Sequence, residues 1–247
     1  AAVDDHDPVS PYELRALSAD WRAGAHTTVG AEWAATRHVG EAPGDAGRIE
    51  LKHESGKANA RVWGVSTSNR FDNPSAGAGA GRNEAGGTLT LRLANRSRLT
   101  AEALFSGDAD GRERRSGALV SLDRPLSPAL RGELGVRVAG VAREDAASDP
   151  VSAALRARLV TQWPRHPEWS GYAEGEQDTR EWDRRMAALG GEYRFTARGR
   201  LYARHELLSS LASAWALSSA QKQASTVVGV DADVAGDAHV FSEYRMS

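Results

Sequence analysis

Apolar and polar residues alternate with a period of two along almost the whole chain, and this feature limits the fold more than any other. In GGEYRF, Tyr193 and Phe195 fall on one side of an extended chain. Glu192 and Arg194 fall on the other side. A period of two is the side-chain spacing of a β-strand. About fourteen segments have it: 13–23, 27–38, 46–55, 57–67, 86–95, 98–106, 115–124, 130–143, 150–163, 168–177, 185–196, 199–209, 225–234 and 238–246.

The length of these segments indicates which solvent their apolar side meets. They contain 9 to 14 residues, whereas strands of soluble proteins commonly have about 5 or 6. A tilted strand needs about 9 to 11 residues to cross a bilayer. The sequence therefore predicts an all-β, antiparallel up-and-down transmembrane β-barrel of about 14 strands (about 12 to 14). Residues 1–247 would form a single domain, in which 1–12 are an N-terminal extension. A soluble antiparallel sheet with one wet face shows the same alternation and remains the alternative.

The links between segments alternate between short and long. Short ones include SGK, NRS and ARG, and longer ones include SNRFDNPSAGAGAGRNEAG and EQDTREWDR. This sorting is typical of a barrel with tight turns at one rim and long loops at the other. By this count 13–23 and 238–246 both end on the long-loop rim. We therefore expect either that these two edges pair, or that a longer parent chain supplies further strands or domains.

Composition excludes several classes of protein. The net charge is -2, so no basic excess indicates nucleic-acid binding. Cysteine is absent, which excludes disulfides and thiolate metal sites. No apolar run is long enough for a transmembrane helix. The mean hydropathy of -0.49 is compatible with a barrel, because only alternate strand residues meet lipid.

Aromatic residues make up only 6% of the chain, but several lie near predicted strand ends. Barrels place aromatic girdles at this level, although ordinary packing would use the same residues. The candidates are Trp21, Trp33, Trp163, Trp169, Tyr193 and Tyr244.

Several blocks of sequence resemble the β-barrel region of very long, repeat-containing bacterial outer-membrane proteins. They are HTTVGAEWAATR, RFDNPSAGAGAGRNEAGG, NRSRLTAEAL, RRMAALGGEYRFTARGRLYARHELLSS and TVVGVDADVAGDAHVFSEYRM. The resemblance implies successive β-hairpins in the bacterial outer membrane, with outer-membrane lipid as the surrounding partner. In that family the sequence usually continues past SEYRM into further strands. The resemblance supplies no catalytic motif.

The stretch RHELLSS invites comparison with outer-membrane lipid hydrolases. His205 and Ser209 share strand parity, but Glu206 points to the opposite face. Two same-face steps separate His205 from Ser209 by roughly 13 Å, beyond hydrogen-bond reach. We therefore expect no enzymatic activity and assign no catalytic residue.

Two aspartate pairs and one glycine-rich link suggest ligands only weakly. DADG at 108–111 and DADVAGD at 231–237 lack most ligand positions of an EF-hand loop. SAGAGAGRNEAGG at 75–87 has no phosphate-binding motif. We assign no metal and no cofactor, and interpret these stretches as polar turns or loops.

The charged residues opposite the apolar side are the best functional candidates. In a barrel they would face the lumen, where opposite charges on adjacent strands pair. On a soluble sheet they would form a solvated face. They are Glu32, Arg48, Glu50, Arg61, Arg92, Glu102, Glu133, Arg137, Arg156, Arg158, Glu174, Glu192, Arg194, Arg204, Glu206, Asp231, Asp233, Glu243 and Arg245.

Three functions remain open at this stage. The first is an outer-membrane β-barrel that acts as a passive, porin-like pore or as the membrane anchor of a large surface protein. The second is a soluble all-β adhesive or structural module. The third, more remote, is an outer-membrane lipid hydrolase.

Overall fold

The computed structural model describes residues 2–5, 12–72, 80–144, 151–208, 223–233 and 239–246. These residues form fifteen β-strands and one short 3-10 turn, Ala94–Arg96. The strands are β1 (Ala2–Asp5), β2 (Tyr12–Arg22), β3 (Thr27–His38), β4 (Gly44–Glu54), β5 (Ala58–Thr67), β6 (Arg82–Arg92), β7 (Arg98–Asp108), β8 (Glu113–Pro125), β9 (Leu130–Arg143), β10 (Val151–Trp163), β11 (His166–Asp178), β12 (Arg185–Thr196), β13 (Gly199–Leu208), β14 (Gln223–Asp233) and β15 (His239–Met246).

Each strand is hydrogen-bonded to its neighbours in chain order, from β1 to β15. The pairings whose registers are described are antiparallel, as in β2 with β3 and β10 with β11. The predicted all-β, antiparallel up-and-down fold of about fourteen strands is therefore confirmed, since β2–β15 correspond one by one to the predicted segments. Strand β1 was not predicted: it lies inside the predicted extension 1–12 and pairs with residues 12–15 at the start of β2.

The start of β6 is where the prediction was least accurate. It begins at Arg82, four residues before the predicted 86, because Asn83 and Glu84 continue the ladder with β5. The polar and glycine-rich sequence around Gly86 looks like a loop. That glycine instead lies opposite Trp63, and a Cβ at this position would collide with the indole ring.

The chain divides into two compact units. The first comprises 1–92, 100–118 and 140–150, and the second comprises 93–99, 119–139 and 151–247. Strands β7, β8 and β9 each continue from one unit into the other along the chain. The prediction of one domain over 1–247 therefore stays a prediction.

Several links are fixed to their strands by hydrogen bonds. At the short turn after β6, the backbone N–H of Leu93 donates to the carbonyl of Ser97 over 2.8 Å. At the longer link after β11, the Asp178 carboxylate accepts bonds from the backbone N–H groups of Arg180 and Glu181 at 2.7 and 3.1 Å. Residues 73–79 and most of the 210–224 link lie outside the described residues. No helix in the part of the chain that the structure describes has the length and apolar character needed to span a membrane.

Candidate functional site: the charged face of the sheet

The two faces of the sheet differ sharply in chemistry. Residues directly opposite each other in an antiparallel pair share a face. The register of the second unit places Leu189 opposite Ala173 and His205. It places Glu192 opposite Ser170 and Tyr202 on the other face. We call these the apolar face and the charged face.

On the charged face of the first unit, three cations surround one carboxylate. Glu50 is bound by Arg48 at 2.9 Å, by Lys52 at 3.4 Å and by Arg61 at 2.5 Å. Arg61 and Lys52 are directly opposite each other on β5 and β4. The Glu50 side chain is only 14% exposed, while the cations reach outward. This group has an excess of positive charge.

In the second unit, the most buried ion pair lies on the charged face. Arg137 on β9 binds Glu176 on β11, and both side chains are 7% exposed. Charges this deeply buried are costly unless they are paired, so each depends on the other. The pair also spans β10, which lies between the two strands in the sheet.

Beside this pair, Glu174 joins two arginines of β10. It accepts a hydrogen bond from Arg156 Nε at 2.9 Å and lies 3.7 Å from Arg158 Nε. Arg156 is also 3.8 Å from Glu133. The predicted residues Glu133, Arg156, Arg158 and Glu174 thus form a continuous ladder across β9, β10 and β11.

A second ladder crosses β12, β13 and β14. Arg200 donates to Glu192 at 3.1 Å and to Asp231 at 2.8 Å. Arg194 binds the other side of Glu192 at 2.7 Å. His239 extends the ladder to β15, with Nδ1 2.9 Å from Asp233. Cross-strand pairs of this kind hold neighbouring strands in register.

Two tyrosines lie flat on the charged face because glycines lie beside them. A Cβ added at Gly190 would overlap the ring of Tyr172, and one added at Gly229 would overlap the ring of Tyr202. Each ring therefore occupies the space above a glycine of the next strand. The Tyr202 hydroxyl donates to Glu243 at 2.9 Å.

Three further predicted charges lie on β3, β6 and β7. Glu32 lies opposite Arg48 in register. Arg92 donates to the carbonyl of Gly56 at 3.2 Å. Glu102 is half-buried on β7.

The remaining predicted charges lie toward the C-terminal strands. Arg204 lies opposite Gly190 and Val227. Arg245 is 4.0 Å from Glu243. Glu206 is placed only by its backbone register, opposite Ala188. That all nineteen face a lumen stays a prediction.

Sequence reasoning missed several members of this face. Glu176 and Arg200 have the same strand parity as the predicted Glu174 and Arg204, one and two same-face steps away, so extending the alternation would have found them. Lys52 follows from Glu50 by the same rule. Tyr202 shares the parity of Arg204, but its glycine partner is known only from the register.

The apolar face carries large side chains that remain mostly or partly exposed. Leu189 is 61% exposed and Leu134 is 70% exposed. Trp163, Trp169 and Phe195 are also exposed, near the short links that follow β10 and β12. Among the described residues only six apolar side chains are buried, and three of these are alanines. The chemistry of the two faces is inverted relative to a water-soluble sheet.

Comparison with known proteins gives structural similarities only. No protein-family model matches the sequence, and no curated protein matches it. Two engineered variants of the Rhodopseudomonas blastica porin are similar in structure, at 12% and 11% identity, each with a TM-score of 0.49. In both cases the similarity covers 96% of this chain and 85% of the porin.

A solved structure described as showing asymmetric conductivity of engineered proteins has 10% identity and a TM-score of 0.48, with coverage of 96% and 85%. These identities and TM-scores are too low to assign the chain to a family. The resemblance to the repeat-containing outer-membrane proteins therefore also stays a prediction.

The weaker sequence candidates do not assemble into sites. His205 Nδ1 is 2.8 Å from the hydroxyl of Thr226 on the apolar face, and the register puts Glu206 on the opposite face. Ser209 lies outside the described residues. Asp110 accepts a hydrogen bond from Asn69, and Asp231 is held by Arg200. Within the described ranges, no three His, Asp or Glu side chains are grouped to hold a metal ion.

Proposed function

We propose that this chain forms the wall of a β-barrel in the bacterial outer membrane and acts as a passive pore. Service as the membrane anchor of a larger surface protein is compatible with the same wall. The observation that carries the proposal is the inversion of the two faces: large apolar side chains are exposed, while the ion pair of Arg137 and Glu176 on the charged face is buried.

The apolar face needs an apolar solvent. Burying an exposed leucine side chain contributes about 1.5–3 kcal/mol when it leaves water completely. Leu17, Leu134 and Leu189 keep 71%, 70% and 61% of their surface open. Exposed apolar area on this scale marks an interaction surface. Lipid tails would cover it without any partner protein.

The charged face needs the opposite environment. Arg137 and Glu176 are almost fully covered, and the surrounding charges pair across strands. A soluble sheet would pack its apolar face on a core and turn these charges to water. A barrel instead turns its apolar face outward to lipid and encloses its charges in a polar lumen. This contrast favours the barrel over a soluble adhesive module.

The dimensions of the strands agree with a membrane wall. Strands β2 to β14 contain 10 to 14 residues, enough to cross a bilayer at a tilt. Trp169 and Tyr193 stack with ring centroids 4.5 Å apart near one end of β11 and β12. Aromatic residues at this level are typical of the membrane interface.

Backbone groups at the edges of such a wall must also be satisfied. An unpaired strand edge in lipid costs several kcal/mol for each open group. Since β1 already pairs with the start of β2, we propose that 238–246 pairs with the rest of the predicted edge 13–23, or that strands from a longer parent chain close the wall.

The pore role is favoured over a purely mechanical anchor by open space on the charged face. A cavity of about 460 Å³ opens between side chains of β10 to β15. A wall that served only as an anchor would not need such space. No feature of the described residues supports a hydrolase.

Detergent dependence and conductance test the proposal. The purified chain should be monodisperse only in detergent and should migrate differently in denaturing gels before and after heating. In planar bilayers it should give discrete conductance steps. A protein that is monodisperse in buffer alone would overturn the barrel. A detergent-dependent protein without conductance would leave only the anchor role.

A further inference from the structure

We propose that the cavity on the charged face of the second unit is a binding site for small organic oxyanions, namely sugar-sized solutes that carry a carboxylate or a phosphate. We call it the arginine–tyrosine cleft. This inference deepens the proposed function, because solutes would reach the cleft through the pore. The residues that carry it are Arg158, Tyr172, Arg200, Tyr202, Arg204 and Arg245.

The cleft has the size of a small-molecule site. Its volume is about 460 Å³, within the range of about 300–1,000 Å³ common for ligand pockets. Water occupies about 30 Å³ per molecule in the liquid. The space therefore suits a six-carbon solute much better than a bare halide ion.

The charges lining the cleft favour an anion. Four arginines line it and only two carboxylates, Glu192 and Glu243, do so. Glu192 is already engaged by Arg194 and Arg200 at 2.7 and 3.1 Å. Glu243 accepts the hydroxyl of Tyr202. Both carboxylates therefore already accept hydrogen bonds, and the net charge of the lining residues is positive.

Two of the arginines retain donors that are weakly used. The described carboxylate contact of Arg158 is a long one, 3.7 Å from its Nε to Glu174, and its side chain is 35% exposed. Arg245 is 4.0 Å from Glu243 and its side chain is 67% exposed. Guanidinium groups bind carboxylate and phosphate through paired hydrogen bonds. Both can serve an incoming oxyanion without breaking a short ion pair.

The tyrosines hold the arginines in place. The guanidinium carbon of Arg158 lies 5.0 Å from the ring centroid of Tyr172, and that of Arg200 lies 5.7 Å from Tyr202. These are cation–π distances. Because each ring is seated over a glycine, the stacked arginine is fixed before a ligand arrives. Such preorganisation lowers the entropic cost of binding.

Calorimetry on the full chain in detergent tests this inference. Galacturonate and galactose are matched in size and differ in the carboxylate, and glucose 6-phosphate and glucose make the same comparison for phosphate. We expect each anion to bind at least about tenfold more tightly than its neutral partner, since one charge-assisted contact is worth about that factor. The two pairs together show which oxyanion the cleft prefers.

Variants locate the binding. Arg158→Gln and Arg245→Gln should each weaken anion binding about tenfold and leave the neutral sugars unchanged. Arg158→Lys should restore only part of the loss, because lysine keeps the charge but not the planar fork. Arg48→Gln is the control, since Arg48 lies on the charged face of the first unit and is 38% exposed, against 35% for Arg158. If Arg158→Gln does not fold, the exposed Arg245 still allows the test.

The outcomes separate this inference from the proposed function. Equal affinity for an anion and its neutral partner would overturn the proposed binding site. Unchanged anion affinity in both glutamine variants would overturn it as well. Binding in detergent does not require conduction. Charge-dependent binding without conductance would therefore contradict the pore alone, and conductance without such binding would contradict the cleft alone.

Discussion

Leu189→Arg is the substitution that most directly tests which solvent meets the apolar face. Leu189 lies near the middle of β12, between Ala173 on β11 and His205 on β13. Its side chain is 61% exposed. Because most of this side chain is open, the cost of an arginine here depends mainly on the surrounding medium.

The expected magnitude follows from the exposure. If lipid covers the open part of Leu189, that contact is worth about 1–2 kcal/mol, which is 61% of the value for a fully buried leucine. Adding a guanidinium near the bilayer midplane brings the total loss to roughly 2–4 kcal/mol. On a sheet face exposed to water, the same change should stay within about 0.5 kcal/mol.

Equilibrium unfolding in phosphocholine vesicles, followed by tryptophan fluorescence, measures the difference. Leu126→Arg is the matched control, because Leu126 is 57% exposed but lies in the link between β8 and β9. Near the interface it should cost about 1 kcal/mol or less. A Leu189→Arg variant as stable as wild type in vesicles would refute the assignment of this face to lipid.

Three further predictions concern the charged face and the links. Arg137→Met should destabilise the protein by about 3–5 kcal/mol because Glu176 is left buried and unpaired, and the added Glu176→Leu should recover most of the loss in the same unfolding assay. Gly190→Val should cost about 1–3 kcal/mol by displacing the ring of Tyr172, and Tyr172→Ala in the same chain should relieve it; an undiminished loss in the double variant would contradict the overlap. Protease added to intact cells should cut the long links and spare the short ones, as peptide mapping would show, and the reverse pattern would invert the topology. The long links are 68–86 and 210–224, and the short ones are 95–98 and 196–200.

The alternation of side chains was enough to predict strands β2 to β15. In β12, the order of Leu189, Glu192, Tyr193 and Arg194 assigns each residue to a face before any partner is known. This works because a strand turns successive side chains to opposite sides whatever lies next to it. The same reasoning missed residues 82–85 at the start of β6, because the polar sequence RNE shows no apolar alternation.

The sequence by itself determined that two chemically opposite faces exist and which residues belong to each, because parity is a local property of the chain. Only the tertiary structure decided which charges meet. Arg137 and Glu176 are 39 residues apart and come together across an intervening strand. The cleft likewise depends on the register of β10 to β15, which places Gly190 beside Tyr172 and Gly229 beside Tyr202. A shift of one residue would leave every strand intact and turn these groups to opposite faces. Register, not strand content, therefore builds the candidate site.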